Sequence, residues 1–111
     1  MAKLEKTIYS DIEYVAEKIK ETILNKSMSA SFEDESRFEV GNAKCIVMVF
    51  ERYSYMGGNR VSMNVTLFQA NLQEVHLSAI TSGGSQAVLF KMNTIGENTF
   101  LDTLREVVDT M

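Results

Sequence analysis

Apolar and polar residues alternate almost without interruption from Arg60 to Gln69. Val61, Met63, Val65 and Leu67 fall on one side, and Ser62, Asn64 and Thr66 on the other. A period of two is that of a β-strand with one face against a core. The polar side carries small neutral groups where a solvated strand usually carries Lys and Glu, so what covers that side is the central question about this chain.

Upstream the period changes. Leu4 to Tyr9 is short and mixed, either a first edge strand or a lead-in. Ser10 is a suitable N-cap, Glu13 three residues later completes a capping box, and Asp11 favours the positive end of a helix dipole. Ile12, Val15, Ala16, Ile19, Ile23 and Leu24 then form one stripe at helical spacing, opposite Glu13, Glu17, Lys18, Lys20 and Glu21. The spacing predicts an amphipathic helix ending near Asn25 or Lys26.

Between Ser27 and Glu39, Met28, Ala30 and Phe32 alternate with serines as in a strand. Glu33-Asp34-Glu35 interrupts the pattern as a charged turn, Phe38 and Val40 resume it, and Gly41-Asn42 is a turn. Lys44–Tyr55 is rich in Val, Ile, Phe and Tyr. Its first half is apolar on both sides, with Cys45, Val47 and Val49 on one and Ile46, Met48 and Phe50 on the other. Met56-Gly57-Gly58-Asn59 has hairpin composition and leads into the alternating strand. Ala70-Asn71 is a second tight turn, and Leu72–Ile80 a further strand with His76, Ser78 and Ile80 on its less apolar side. Ser82-Gly83-Gly84-Ser85 breaks the pattern, and Gln86–Met92 reads as a last short strand. Thr94 and Glu97 form a second capping box, although Gly96 within it costs about 1 kcal/mol against Ala. Phe100, Leu101, Leu104, Val107 and Val108 mark a C-terminal amphipathic helix.

These elements predict a single α+β domain over residues 1–111. It has an N-terminal helix, an antiparallel β-meander of four to five strands and a C-terminal helix, with both helices on one face of the sheet. A chain of 111 residues suffices for one core, and the 45% hydrophobic and 23% charged fractions are those of a globular protein.

A formal net charge of −4 argues against phosphate-neutralising nucleic-acid binding and against recruitment to an anionic membrane. The longest apolar run, Cys45–Phe50, is too short to span a bilayer, and the N-terminus has no signal-peptide h-region. One cysteine permits no intrachain disulfide and fits a reducing compartment, so a cytoplasmic location is expected.

Few side chains offer chemistry. Gly83-Gly84-Ser85 has backbone N–H groups to offer an anion, but no helix starts directly behind it, and a turn or bulge is the better reading. Gly57-Gly58 reads as a hairpin tip. His76 is the sole histidine, and one His with one Cys falls short of a zinc site. Paired with Ser78, it lacks the third, orienting member of a nucleophilic set. Cys45 reads as a buried inert thiol, Glu51 and Arg52 as a cross-strand pair or solvated rim, and Glu33-Asp34-Glu35 as a soluble turn. Tyr53 and Tyr55 share a side near the hairpin, where edge packing is the first reading and an interaction patch the second. No catalytic residue, metal or cofactor is assigned.

One feature is left over. The fifty residues from 43 to 92 hold only Lys44, Glu51, Arg52, Arg60, Glu74 and Lys91 as charged groups, a low density for a sheet with one wet face. The second face is expected to show Ile46, Met48, Phe50, Ser62, Asn64, Thr66, Phe68, His76, Ser78 and Ile80. Such a mixture suits a cavity or a subunit interface better than open water.

The run Thr81-Ser82-Gly83-Gly84-Ser85-Gln86-Ala87-Val88-Leu89-Phe90-Lys91, with Asn93-Thr94-Ile95-Gly96-Glu97 and Phe100-Leu101, resembles the C-terminal half of a family of short bacterial proteins, an uncharacterised domain of unknown function. The resemblance, centred on residues 81–101, implies a bacterial cytoplasmic protein and supplies no activity. The helix–meander–helix layout is also similar to small helix-grip ligand binders, an analogy without a motif. Two expectations follow. The first is a non-enzymatic domain that self-associates as a dimer through its sparsely charged face or a strand edge. The second is a small-molecule binder with a pocket between sheet and helix, lined by Asn64, Thr66, His76 and Ser78.

Overall fold

The computed structural model describes residues 2–26, 29–54, 59–71, 73–83 and 100–111. In chain order these form β1 (Ala2–Ile8), α1 (Ile12–Lys26), β2 (Ala30–Val40), β3 (Ala43–Ser54), β4 (Asn59–Asn71) and β5 (Glu74–Gly83), with a C-terminal helix, α2, over residues 100–108. The expected hairpin tip at Gly57-Gly58, the strand over Gln86–Met92 and the Thr94/Glu97 capping box lie outside the described residues.

The sheet has the order β1-β5-β4-β3-β2, and every neighbouring pair is antiparallel. The segment before the first helix is thus a true edge strand. It pairs not with its sequence neighbour but with β5, at the far end of the β2–β5 meander. Alternating directions across five strands make β1 and β2 parallel, and α1 is the crossover between these two edges. Its 15 residues span about 22 Å at 1.5 Å per residue. Five strands about 4.8 Å apart span about 19 Å between outer axes, so one helix is long enough to bridge the sheet.

The α1 cap differs from the capping box expected of Ser10 and Glu13. Asp11 is the cap: its Oδ2 accepts the Glu13 N–H at 3.0 Å and the Tyr14 N–H at 3.3 Å, while its carbonyl accepts the Val15 N–H. The Ser10 carbonyl takes a 3.1 Å hydrogen bond from Gln69 Nε2 instead, and Gln69 is buried. The predicted stripe is buried at Ile12, Val15, Ala16, Ile19 and Ile23, but Leu24 at its margin is exposed.

The β3–β4 register decides which side of β3 is core. Ile46 pairs with Leu67, Met48 with Val65 and Phe50 with Met63, so each even-numbered β3 residue shares a face with an odd-numbered β4 residue. Ile46, Met48 and Phe50 are fully buried, and the expectation that they face the second side is overturned. They join Val61, Val75, Leu77 and Ala79, the α1 stripe, and Phe100, Leu101, Leu104, Val107 and Val108 of α2 in one cluster.

Glu33-Asp34-Glu35 is also not a turn. β2 is continuous, with a register shift between Phe32 and Asp34 that leaves Glu33 as the extra residue of a bulge. At the other edge, the buried Thr81 hydroxyl donates to the Ala2 carbonyl at 3.3 Å and accepts the Ala2 N–H at 3.2 Å. Gly83 stays in β5, opposite Val61, at φ 121°, and a Cβ there would lie 2.6 Å from the Arg60 carbonyl oxygen. Glycine is required by both conformation and space.

Candidate functional site

The side of the sheet away from the core cluster, the outer face, follows directly from strand pairing. Three rows cross all five strands: Thr7–His76–Phe68–Cys45–Phe38, then Glu5–Ser78–Thr66–Val47–Ser36, then Lys3–Ile80–Asn64–Val49–Asp34. A shorter fourth row holds Ser82, Ser62, Glu51 and Ser31. Cys45, Val47 and Val49 take the place the sequence reading gave to Ile46, Met48 and Phe50.

The centre of this face is neutral. Phe38 keeps 58% of its surface exposed, Phe68 42% and Ile80 42%. These are large values for side chains whose burial stabilises a protein by about 1.5–3 kcal/mol each. Cys45 is half-buried on this face and not buried in the core as expected.

Charges lie around the perimeter. Lys3 Nζ is 3.2 Å from Glu5 Oε1 on β1, Arg60 Nη1 donates to Glu51 Oε1 at 2.9 Å at one end, and His76 Nε2 is 3.2 Å from Glu74 Oε1 at the other. Asp34 stands on the β2 edge, its Oδ1 accepting the Glu35 N–H at 2.8 Å.

All four candidate binding residues lie here. Thr66 and Ser78 are directly paired, His76 is paired with Phe68, and Asn64 with Ile80. Thr66 Oγ1 donates to Asn64 Oδ1 at 3.1 Å, and the Thr7 hydroxyl lies 3.4 Å from His76 Nδ1. The register brings them together on the outer face, whereas α1 places its buried stripe against the core face. Among the described elements, these residues therefore do not line a space between the sheet and α1.

Among the described residues, hollows occur elsewhere. One of about 530 Å³ lies at the strand ends among Asp11, Gly41, Asn42, Lys44, Gln69, Ala70 and Asn71. A smaller one of about 220 Å³ lies among Ser29, Ser31, Glu51, Arg52, Tyr53 and Arg60. Neither is lined by Asn64, Thr66, His76 or Ser78. Among the described residues no group of three or more His, Cys, Asp and Glu side chains is placed to hold a metal ion, and no helix is long and apolar enough to cross a membrane.

A relay of charges runs from α1 to β2, which the sequence reading did not foresee. Glu35 and Arg37 stand on the core side of β2, at its edge. Arg37 Nη1 reaches both Glu13 oxygens at 2.7 and 2.8 Å, and its Nε donates to Glu35 Oε2 at 2.6 Å. Lys20 Nζ lies 3.0 Å from Glu35 Oε1 and 4.6 Å from the centre of the Phe32 ring, which in turn packs 5.5 Å from the Phe50 ring. The hydrogen bond from Arg37 holds the Glu35 carboxyl below its ordinary range against the opposing effect of burial, and Glu13 pushes the Arg37 guanidinium further up. Each charge in this clasp has an opposite charge beside it, although the buried Glu35 Oε1 meets Lys20 as an ion pair and not as a well-formed hydrogen bond.

Matching this chain against known proteins supplies no activity. No curated protein matches it. The model of a family of unknown function matches from the first residue to the last, residues 1–111. The chain therefore belongs to that family of unknown function, DUF6054.

Proposed function

We propose that this chain is a non-catalytic, self-associating domain of the cytoplasm whose outer sheet face packs against a second copy of itself. The observation that carries the reading is the neutral stretch of that face, where Phe68 and Ile80 on the inner strands and Phe38 at the β2 edge stand exposed among Ser, Thr and Asn, with charges elsewhere around the perimeter. Soluble monomers rarely leave contiguous apolar patches open, and interfaces concentrate neutral groups centrally with charges at the rim.

The sheet edges are poorer candidates. β2 is bulged at Glu33 and carries Asp34, Glu35, Arg37 and Glu39, and β1 has only seven residues with Lys3, Glu5 and Lys6 among them. Bulges, charges and short length are features that discourage edge pairing. A reducing compartment suits Cys45, whose half-buried thiol lies within the proposed contact.

Sedimentation velocity from about 1 µM to 1 mM, the range of weak to moderate dimers, tests this reading. A concentration-dependent rise to a dimer is expected, and a monomer throughout would overturn it. Phe68→Lys, at the centre of the face and outside the core, is expected to abolish the dimer while leaving the fold intact.

A second reading has narrower support. Asn64, Thr66, His76 and Ser78 cluster on two adjacent strands and offer hydroxyl, amide and imidazole groups to a small molecule laid across the sheet. Native mass spectrometry of freshly purified protein would then show added mass that Asn64→Ala loses, and bare chain mass in both proteins would contradict it.

A further inference from the structure

Resting on the self-association reading, we infer that the two copies are related by a two-fold axis that runs along β4, so that Lys3 of each copy meets Asp34 of the other. The inference comes from the arrangement of the rows. β4 is the middle strand, with two strands on either side. Lys3 on β1 and Asp34 on β2 end the same row, Lys3–Ile80–Asn64–Val49–Asp34, with Asn64 at its centre.

Two sheets packed face to face about a two-fold in the plane between them have two simple choices of axis. With the axis along β4, the edges exchange: β1 of one copy covers β2 of the other. Each row then meets its own reversal. Lys3 faces Asp34, Ile80 faces Val49, Asn64 meets Asn64, and the exposed Phe68 rings meet at the centre of their row. Lys3 opposes Asp34, Ile80 opposes Val49 and Phe68 opposes Phe68, while Phe38 faces Thr7, Val47 faces Ser78 and Cys45 faces His76. An isologous contact of this kind contains each pair twice.

With the axis across the strands, β1 covers β1 and β2 covers β2. Centred on the middle of the three full rows, that arrangement sets Glu5 against Glu5 and Asp34 against Phe38. Centred on all four rows, it sets Lys3 against Glu5, already its partner within the chain, but Phe68 against Ser62 and Cys45 against Glu51. Like charges directly opposed are destabilising, and a charge set against an apolar group goes without a partner. Lys3 against Asp34 together with Phe68 against Phe68 therefore favours the first axis.

Size and geometry are compatible with this pairing. Five strands about 4.8 Å apart and four rows about 6.8 Å apart cover roughly 650 Å² per copy, or about 1,300 Å² in all, within the range of specific interfaces. Sheets packed face to face settle about 30° apart, which displaces the row ends by roughly 5 Å, within reach of a flexible lysine stem. Lys3 and Asp34 are both exposed, and their contacts within the chain, to Glu5 and to the Glu35 N–H, leave carboxylate and ammonium capacity for a partner.

Charge reversal tests the axis directly. Lys3→Glu and Asp34→Lys, each alone, place two like-charged pairs in the homodimer and are expected to raise its Kd by about tenfold. Mixing the two variants restores both opposite-charge pairs in the heterodimer, and the double variant restores them in a homodimer. Each is expected to recover affinity to within about threefold of the wild type. Loss in the single variants without recovery in either combination, or no loss at all, overturns the axis while leaving self-association standing. A wild-type chain that stays monomeric in the same titration overturns the self-association reading itself.

Discussion

Met63 and Phe68 lie five residues apart on one strand and do opposite work. Met63 is fully buried opposite Phe50, and Phe68 holds its ring in the open between Cys45 and His76. Truncating a well-packed core side chain removes its transfer energy and leaves a cavity. Phe50→Ala is expected to lower unfolding free energy by about 3–5 kcal/mol in denaturant titration, and Phe68→Ser by less than about 1 kcal/mol under conditions where the chain is monomeric. Equal losses at the two positions would contradict the assignment of faces. Gly83 is a third informative residue. Its φ of 121° and the 2.6 Å approach of the Arg60 carbonyl predict that Gly83→Ala costs about 1–3 kcal/mol, read in the same titration.

At the scale of elements, α1 is held at its start by a cap and along its side by ions. Asp11→Ala removes the acceptor for two backbone donors and is expected to cost about 1 kcal/mol, whereas Ser10→Ala, whose contact runs through its carbonyl, should be nearly silent. The Glu35 clasp adds a pH dependence. Arg37 holds the folded-state carboxyl below its ordinary value of 4.5, so the folded protein binds that proton less readily than the unfolded chain. Its contribution is fully present above about pH 4.5 and is lost as pH falls through the depressed value. Between those limits, unfolding free energy should fall less steeply with acid in Glu35→Gln than in the wild type. An identical slope in both proteins would contradict the clasp.

These elements also show what the sequence could and could not carry. Periodicity alone gave the α1 stripe, the core side of β4 and the α+β class, because burial writes a repeat of 3.6 or 2 into the chain. It could not give the pairing of β1 with β5, which depends on where a crossover helix lands. Nor could it choose between the two apolar sides of β3. A hairpin whose register pairs even with odd positions sends Ile46, Met48 and Phe50 inward and Cys45, Val47 and Val49 outward, and a one-residue slip would reverse this. The charged stretch in β2 misled for a related reason. Glu35 and Arg37 belong on the core side of an edge strand because Lys20 and Glu13 stand opposite them, partners some 15 to 24 residues away.

At the scale of the molecule, one face of the sheet makes the core and the other remains a surface with a neutral centre. Asn64, Thr66, His76 and Ser78, chosen from sequence as a ligand set, lie on that face together with Ile80, which the alternation had already placed there, and with Phe38, Cys45 and Val49, which it had not. The family adds no activity, so the functional account rests on that surface. The most direct test is sedimentation equilibrium of the wild type beside Phe68→Lys, with folding of both checked by circular dichroism. The account predicts that the wild type approaches twice its 12.5 kDa chain mass as concentration rises, while the folded variant remains at 12.5 kDa. A wild type that stays at 12.5 kDa throughout, or a folded variant that dimerises as tightly as the wild type, would contradict it.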